Sequence, residues 1–325
     1  MLTMKTLILL TLAYFLHCEG VVAQKDSERV VNNRPIIGVL SQEQPYLPKE
    51  LYISYIAASY VKDIESAGAR VVPIMIGKDR YYYENLMRKI NGVLFPGGDI
   101  DFNQTNGYAD AGQYIYEFAQ ELNDQGDYFP IFGTCLGLQF LIVLASGRRE
   151  NLIHCDSYEN KPLNFVPDFR LSRLFYEAPE EVIYSLANKD VAVNAHSFCV
   201  TDENLRKYNL TKDWRVTSRS NDKNDVEFIA SIEHRRYPFY ATQFHPEKSA
   251  YEWKTSKFYA HSAEAVKTNH YFMQFFINEC RKNWHVFDSV AEENRYLMYN
   301  YQPLFTGKDD GDFTQIYFFK HNYNY

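Results

Sequence analysis

Residues 131–139 read Ile131-Phe132-Gly133-Thr134-Cys135-Leu136-Gly137-Leu138-Gln139, between an apolar segment typical of a strand (128–132) and one typical of a helix (138–145). A cysteine framed by glycines at a strand-to-helix corner is the pattern of a nucleophile elbow. The glycines allow a sharp turn without a side-chain clash, and the helix N-terminus behind the turn favours a thiolate. The pattern predicts that Cys135 is a nucleophile rather than a core cysteine beside a turn.

The segments before the elbow alternate between strand and helix patterns. Apolar, often β-branched runs predict strands over residues 35–40, 70–75, 92–95 and 128–132. Helical spacing of apolar residues predicts helices over residues 51–67, 81–90 and 108–122. This alternation is typical of parallel βαβ units with helices on both faces of the sheet. We therefore expect an α/β fold, a three-layer αβα sandwich around a central, mostly parallel sheet.

The pattern changes after about residue 150. Strand candidates over residues 191–194, 227–232 and 239–244 favour antiparallel or mixed pairing, and a helix over 263–280 and a last strand over 314–319 follow. No internal repeat, low-complexity linker or Pro/Gly-rich hinge interrupts the chain. The expected organisation is one domain over residues 24–325.

The N-terminus has the pattern of a signal peptide over residues 1–23. Lys5 precedes a short apolar run over residues 7–16, and small residues follow near Gly20. The run is too short to span a bilayer comfortably, and no later stretch of about 18 apolar residues exists, so we expect a soluble protein that does not enter a membrane. A buried first helix is the alternative. The sequons at Asn103 and Asn209 agree with a secretory, lysosomal or extracellular location.

Charge and cysteine content exclude several classes of protein. The net charge of −7, without a block of Lys or Arg, argues against nucleic-acid binding. Five cysteines are too few for a disulfide scaffold in 325 residues, and Cys18 would leave with the signal peptide. If Cys135 is a free thiol, at most one disulfide can form among Cys155, Cys199 and Cys280. The sequence contains no CxxC spacing that would predict a zinc site, and we expect neither metal nor cofactor.

Two further motifs supply the other groups that an acyl-transfer cysteine needs. His245, in Gln243-Phe244-His245-Pro246-Glu247, follows a predicted strand and can act as acid and base, with Glu247 orienting its imidazole. The loop Phe95-Pro96-Gly97-Gly98-Asp99 follows the strand before the elbow. Backbone amides of Gly97, Gly98 and Leu136 can therefore form an oxyanion hole.

The elbow followed by His-Pro-Glu resembles the class I glutamine amidotransferases, and more closely the γ-glutamyl hydrolase family, from about Pro35 to the C-terminus. Other matching stretches are Tyr55-Ile56-Ala57-Ala58-Ser59-Tyr60-Val61, Asn91-Gly92-Val93-Leu94-Phe95-Pro96-Gly97-Gly98 and His245-Pro246-Glu247-Lys248. The resemblance implies cleavage of folylpoly-γ-glutamates, with Cys135 as nucleophile and His245 and Glu247 as its partners. It also implies substrate-binding roles for His196 and Tyr60, and the family tends toward homodimers.

The sequence departs from the family at two places near these residues. Vertebrate members read Gly-Phe-Glu after the elbow, where this chain reads Gly-Leu-Gln139, as many amidotransferases do. Ala195 stands before His196, where the family often has an aromatic residue. Gln139 is therefore the nearby position that could redirect substrate preference. An Arg or Lys should pair with the substrate's α-carboxylates, but the sequence does not indicate which one.

Two other functions stay open. Glutamine and a γ-glutamyl peptide share the same acyl half, so a glutaminase that feeds ammonia to a synthetase is one rival. A signal peptide and the lack of a synthetase domain argue against it. A secreted binding or storage protein without catalysis is the second rival, left open by the 27 tyrosines. The presence of Cys135, His245 and Glu247 together argues against it.

Overall fold

The computed structural model describes residues 31–47, 53–148, 151–255, 257–309 and 311–320, so the predicted signal peptide lies outside the described residues. Its strands are β1 Ile36–Leu40, β2 Gln42–Glu43, β3 Ser54–Ala57, β4 Arg70–Ile74, β5 Gly92–Phe95, β6 Ile131–Thr134, β7 Ile153–Lys161, β8 Asn164–Phe165, β9 Ala192–Cys199, β10 Trp214–Asn221, β11 Glu227–His234, β12 Phe239–Thr242, β13 Leu304–Phe305 and β14 Gln315–Phe319. Its α-helices are α1 Ala58–Ser66, α2 Arg80–Met87, α3 Tyr108–Asp124, α4 Leu136–Ala145, α5 Arg173–Tyr176, α6 Glu180–Asn188, α7 Asp202–Lys207, α8 Lys248–Tyr251, α9 Ala263–Cys280 and α10 Val290–Tyr296.

A mixed, mostly parallel sheet of eight strands forms the centre, in the order β4-β1-β5-β6-β12-β11-β10-β8. The pairs from β4 to β12 are parallel, and those from β12 to β8 are antiparallel. Every residue of β1, β5 and β6 is buried, as expected for parallel strands covered on both faces. The predicted α/β fold is confirmed.

Helices cover both faces of this sheet. In β1, Ile36 and Leu40 pack into a core with α2, α3 and α4, whereas Ile37 and Val39 pack into a second core with α1 and α9. This alternation follows from the two-residue period of a strand. The result is the expected αβα sandwich. Among the described residues, no helix combines the length and apolar character needed to cross a membrane.

The helix predicted over residues 51–67 begins only at Ala58. Ser54–Ala57 instead forms β3, which pairs antiparallel with β14 and with β2 in a second sheet. Its partner β14 lies at the far end of the chain, so local periodicity does not reveal the pairing. The strand predicted over 128–132 likewise begins only at Ile131. The elements β7, β10, α6 and α10, and the short elements β2, β8, β13, α5, α7 and α8, were not predicted.

A two-stranded ribbon, β7 paired antiparallel with β9, stands apart from the central sheet. The strand predicted over residues 191–194 is thus part of a longer strand that reaches Cys199. A disulfide links Cys155 of β7 to Cys199 of β9, while Cys135 and Cys280 are free and buried. The pairing agrees with the limit of one disulfide. It fixes the ribbon that carries His196.

Candidate active site

The elbow turns at Cys135, which has a left-handed backbone with φ 53° and ψ −105°. A non-glycine residue held there costs on the order of 1–3 kcal/mol, and such strain clusters at functional sites. The Cys135 amide donates to the Thr242 carbonyl at 2.7 Å, which ties the turn to β12. A Cβ on Gly133 would lie 2.6 Å from the Gly137 backbone. A side chain at position 133 would therefore collide with the backbone of the elbow, which explains the glycine there.

Gly137 provides a direct test of this packing. A Cβ at Gly137 would lie 2.1 Å from the Phe95 carbonyl oxygen, and backbone at the end of β5 cannot move aside as a flexible side chain could. We expect Gly137→Ala to cost about 1–3 kcal/mol of unfolding free energy and to lower kcat/KM by displacing Cys135. Urea unfolding and kinetics on the same sample measure both. Unchanged stability and activity would contradict the elbow packing described here.

Three loops converge at the carboxyl edge of the parallel strands. Cys135 follows β6, the Gly97-Gly98 loop follows β5, and His245 lies three residues beyond β12. Strands β6 and β12 are parallel neighbours with Thr134 opposite Thr242, which places Cys135 and the His245 loop side by side. Ligands bind at this edge in open α/β sheets.

His245 and Glu247 form a buried pair. The His245 Nδ1 atom lies 2.7 Å from Glu247 Oε1, and the residues are 4% and 1% exposed. Burial opposes the charged imidazole, but the charges of Glu247 and Cys135 outweigh it and raise the pKa of His245 to about 9. Burial also opposes ionisation of Glu247, yet His245 lowers its pKa. Both shifts favour an imidazolium–carboxylate pair.

The second ring nitrogen of His245, Nε2, is available for proton transfer. Its Nε2 atom is buried and has no hydrogen-bond partner among the described residues. A Cβ built on Gly97 would lie 2.7 Å from His245 Cε1 and 3.2 Å from Cys135 Cβ, so the imidazole and the cysteine meet over this glycine. The arrangement can move a proton between His245 and a group bonded to Cys135.

Tyr60 lies behind the Gly97 loop and next to the catalytic histidine. Its side chain is 1% exposed and does not line the cavity described below. Its hydroxyl accepts the Gly97 amide at 2.8 Å and lies 3.4 Å from His245 Nδ1. Tyr60 thus supports the Gly97 loop and the imidazole from the side away from the cavity, and its role near the substrate stays a prediction.

The same contact corrects the oxyanion hole. Because the Gly97 amide already donates to Tyr60, it is not free for a developing oxyanion. The amides of Gly98 and Leu136 have no partner among the hydrogen bonds of the described residues. Leu136 is the first residue of α4, where an amide has no partner within the helix. The amides of Gly98 and Leu136, two of the three predicted donors, are therefore available to bind an oxyanion.

Gln243 is a site residue that sequence analysis did not identify. Its Nε2 atom donates to Cys135 Sγ at 3.5 Å, and Gln139 Nε2 donates to the Gln243 Oε1 atom at 3.4 Å. Gln139 also donates to the Phe198 carbonyl at 2.6 Å. Gln139, predicted to bind substrate, therefore orients Gln243 as well as lining the cavity. The only sequence signal was the place of Gln243 two residues before His245.

Replacing Gln243 tests this contact. We expect Gln243→Leu to lower kcat about 10- to 100-fold, because a hydrogen bond to a charged acceptor contributes roughly 1.5–3 kcal/mol. Gln243→Glu is the matched variant, since it keeps the shape but places a second negative charge beside the sulfur. The rate of iodoacetamide labelling of Cys135 should fall further in the Glu variant than in the Leu variant. Equal labelling in all three proteins would contradict the contact.

A cavity of about 620 Å³ opens beside these residues. Its lining includes the predicted residues Gly98, Asn103, Cys135, Leu136, Gln139, His196 and His245.

Asn103 is exposed at this cavity and Asn209 is exposed elsewhere, so both predicted glycosylation sites are accessible. Among the described residues, no group of three or more His, Cys, Asp or Glu could hold a metal ion.

His196 lines the cavity from the ribbon. It is 4% exposed, and its Nδ1 lies 3.6 Å from Cys155 Sγ while its Nε2 lies 3.4 Å from Asn194 Oδ1. Burial, with the charge of His245, lowers the pKa of His196 to about 3. The imidazole is therefore neutral at pH 5 and at pH 7. It can accept or donate a hydrogen bond to a ligand without bringing a second positive charge.

Comparison with known proteins agrees with this geometry. A family model described as Peptidase C26 matches residues 35–247. The gamma-glutamyl hydrolase of Rattus norvegicus is 42% identical over 288 residues, which cover 89% of this chain and 90% of that protein. The Homo sapiens gamma-glutamyl hydrolase is 40% identical, covering 88% and 90%. The gamma-glutamyl hydrolase B of Dictyostelium discoideum is 38% identical, covering 90% and 85%. The family match spans the elbow, the Gly97-Gly98 loop and the His-Pro-Glu segment.

Proposed function

The chain belongs to the peptidase C26 family of hydrolases, and from that membership and the geometry of its cavity we propose that it cleaves γ-glutamyl bonds, those of folylpoly-γ-glutamates in particular, through a thioester on Cys135. Similarity to relatives that bear the name gamma-glutamyl hydrolase supports the bond class. One observation carries the mechanism: His245 is held by Glu247 at Nδ1 and leaves Nε2 without a partner beside Cys135.

Acylation begins with attack of the Cys135 thiolate on the γ-carbonyl carbon. The C=O electrons move onto the oxygen, where the amides of Gly98 and Leu136 donate to the oxyanion. When the tetrahedral intermediate collapses, the C–N bond breaks and the His245 imidazolium gives its proton to the departing amine. Glu247 stabilises the imidazolium before this transfer. The product is a γ-glutamyl thioester and a free amine.

Deacylation reverses these roles. The neutral His245 takes a proton from water, and the resulting hydroxide oxygen adds to the thioester carbon. Collapse expels the Cys135 thiolate and releases a γ-carboxyl group. The proton stays on His245, so the imidazolium–thiolate pair is restored for the next cycle. No group beyond these residues and water is needed for the atoms to balance.

A secretory, lysosomal or extracellular location is part of the proposal. The Cys155–Cys199 disulfide supports it, because disulfides persist in oxidising compartments. The predicted signal peptide over residues 1–23 and the sequons at Asn103 and Asn209 support the same location.

A product profile tests the function. Purified protein should trim pteroylpentaglutamate to shorter γ-glutamates at pH 5 and pH 7, as read by mass spectrometry, and should release little ammonia from free glutamine. Ammonia release without trimming would favour the glutaminase alternative. Neither reaction, with specific binding of the polyglutamate, would favour a binding protein. Sedimentation of the same sample tests the homodimer that the family resemblance implies.

A further inference from the structure

A disulfide joins the two strands of the β7–β9 ribbon at the place where their pairing is interrupted. The pairing register shifts between His154 and Ser157, so the residues between them fall outside the regular ladder. Such a bulge disrupts the backbone hydrogen bonds and bends the strand. Cys155 lies in this bulge, and its bond to Cys199 crosses to β9, with both side chains buried. The disulfide therefore links the two strands where the backbone ladder does not.

Backbone hydrogen bonds attach β9 to the rest of the domain near its two ends. The Val193 carbonyl accepts from the His245 amide at 2.8 Å, and the Val200 carbonyl accepts from an amide of β11 at 2.9 Å. Between these points, among the described residues, the backbone of β9 bonds outside the ribbon only at the Phe198 carbonyl, which accepts from Gln139 Nε2 at 2.6 Å. The middle of β9 is thus held by its partner strand and by one bond to the active site.

The bond at Phe198 is the first link in a series of contacts that ends at the nucleophile. Phe198 directly precedes Cys199, so the disulfide holds the peptide next to this carbonyl. Gln139 Nε2 lies 3.4 Å from Gln243 Oε1 as well. Gln243 Nε2 in turn donates to Cys135 Sγ at 3.5 Å, and an amide that donates to a thiolate stabilises its charge. A displacement of β9 at Phe198 would therefore reach the sulfur through two side chains.

The disulfide also contacts His196 directly. Cys155 Sγ lies 3.6 Å from His196 Nδ1, and His196 lines the cavity from β9. The sulfur of a disulfide carries no proton, so it can accept a hydrogen bond from the imidazole but cannot donate one, whereas a thiol can do both. Opening the disulfide would therefore change the hydrogen bonding of His196 as well as the constraint on its strand.

We propose that the Cys155–Cys199 disulfide is a positioning element of the active site, which holds β9 so that the two glutamines stay aligned with Cys135. A disulfide that served stability alone would restrict the unfolded chain and leave the site of the folded protein unchanged. The inference rests on the proposed function where it concerns turnover, but the reactivity of the Cys135 thiol tests it without a substrate.

The experiment compares the wild type with Cys155→Ala/Cys199→Ala, which lacks the crosslink and introduces no new thiol. Iodoacetamide labelling of Cys135, located by mass spectrometry of its peptide, measures the reactivity of the sulfur. We expect the labelling rate at pH 5 to fall about 3- to 30-fold, because the thiolate loses part of a stabilising hydrogen bond. The kcat on a γ-glutamyl peptide should fall with it.

A double-mutant cycle with Gln139→Met tests the path of the effect. Removal of the Gln139 side chain should itself lower the labelling rate, since it frees Gln243. If the disulfide acts through Gln139, loss of the crosslink in the Gln139→Met background should lower the rate further by less than about twofold. Losses that multiply in full would overturn the inference, because they would show that the crosslink and Gln139 act independently.

Cys280→Ala is the matched control, because it replaces another buried cysteine that does not line the cavity. Each protein is assayed at the same interval below its thermal midpoint, so that a general loss of stability does not count as a change in the site. Cys135 should be labelled in Cys280→Ala at the wild-type rate. A fall in Cys280→Ala equal to that in the double variant would overturn the inference.

Cys155→Val/Cys199→Ala is a second variant without the crosslink, since valine fills more of the buried volume that the sulfurs leave. If neither variant folds, the crosslink serves the fold and not the site, which overturns the inference. Wild-type labelling in a folded variant would overturn it as well. If labelling changes as expected but even the wild type cleaves no γ-glutamyl peptide, the proposed function fails while the inference about Cys135 stands.

Discussion

Cys135→Ala is expected to lower kcat on a γ-glutamyl peptide by about 10⁴-fold or more, because removal of a nucleophile leaves only binding and the oxyanion amides. Substrate binding should persist, since Cys135 supplies no charge-pairing group to the ground state. Steady-state kinetics and calorimetric binding of the same peptide measure the two effects. Mass spectrometry of a quenched wild-type reaction should also show the γ-glutamyl group attached to the peptide that contains Cys135.

The chain offers a matched control in Cys280, the other free buried cysteine among the described residues. Cys280 lies in α9, where its sulfur packs against Gly92, and it does not line the cavity that contains Cys135. Cys280→Ala should cost some stability through a small cavity while kcat changes little. Comparable activity in Cys135→Ala and Cys280→Ala would refute the assignment of the nucleophile.

His245→Asn is expected to lower kcat/KM about 10²- to 10⁴-fold. The variant has no acid to protonate the departing amine and no base to deprotonate the water that hydrolyses the thioester. The wild-type rate should decline above about pH 9, where the imidazolium loses its proton. That decline should vanish in the Asn variant. A pH–rate profile between pH 4 and pH 10 measures both effects, and a wild-type decline that persists in His245→Asn would assign the titration to another group.

Glu247→Gln separates the charge of the pair from its geometry. The amide can still accept from His245 Nδ1, but it no longer stabilises the imidazolium. The carboxylate raises the pKa of His245, so its removal should lower that pKa and move the basic limb toward neutral pH. At pH 5 the variant should retain more of its activity than at pH 8. A basic limb that stays in place would show that Glu247 does not control the pKa of His245.

The catalytic elements were predictable because their signals are local. The elbow needs glycine at fixed offsets from Cys135, and the sequence shows those glycines. Apolar runs identified β1, β4 and β5 because a strand buried on both faces is apolar throughout. His245 and Glu247 were predicted together because they lie in one short segment.

The remaining features depend on contacts between distant segments. Ser54–Ala57 was assigned to a helix because its pairing with β14 is invisible to a local pattern. Gln243 and Lys248 look ordinary in the sequence, and only the fold brings one to the Cys135 sulfur and the other into the cavity. The resemblance indicated that Tyr60 lies near the site, but only the fold shows that its hydroxyl bonds to the Gly97 amide.

The parallel pairing of β6 with β12 makes the reactive site depend on a contact between segments that are distant in the sequence. These strands are neighbours in the sheet although more than a hundred residues separate them, and the Cys135 amide bonds to Thr242 only when both are in place. Contacts of such sequence separation are slow to form during folding. A chain that has folded only through α4 would therefore hold the Cys135 thiol with neither His245 nor Glu247 beside it. Recovery of activity during refolding therefore requires the pairing of β6 with β12 and reports when that long-range contact has formed.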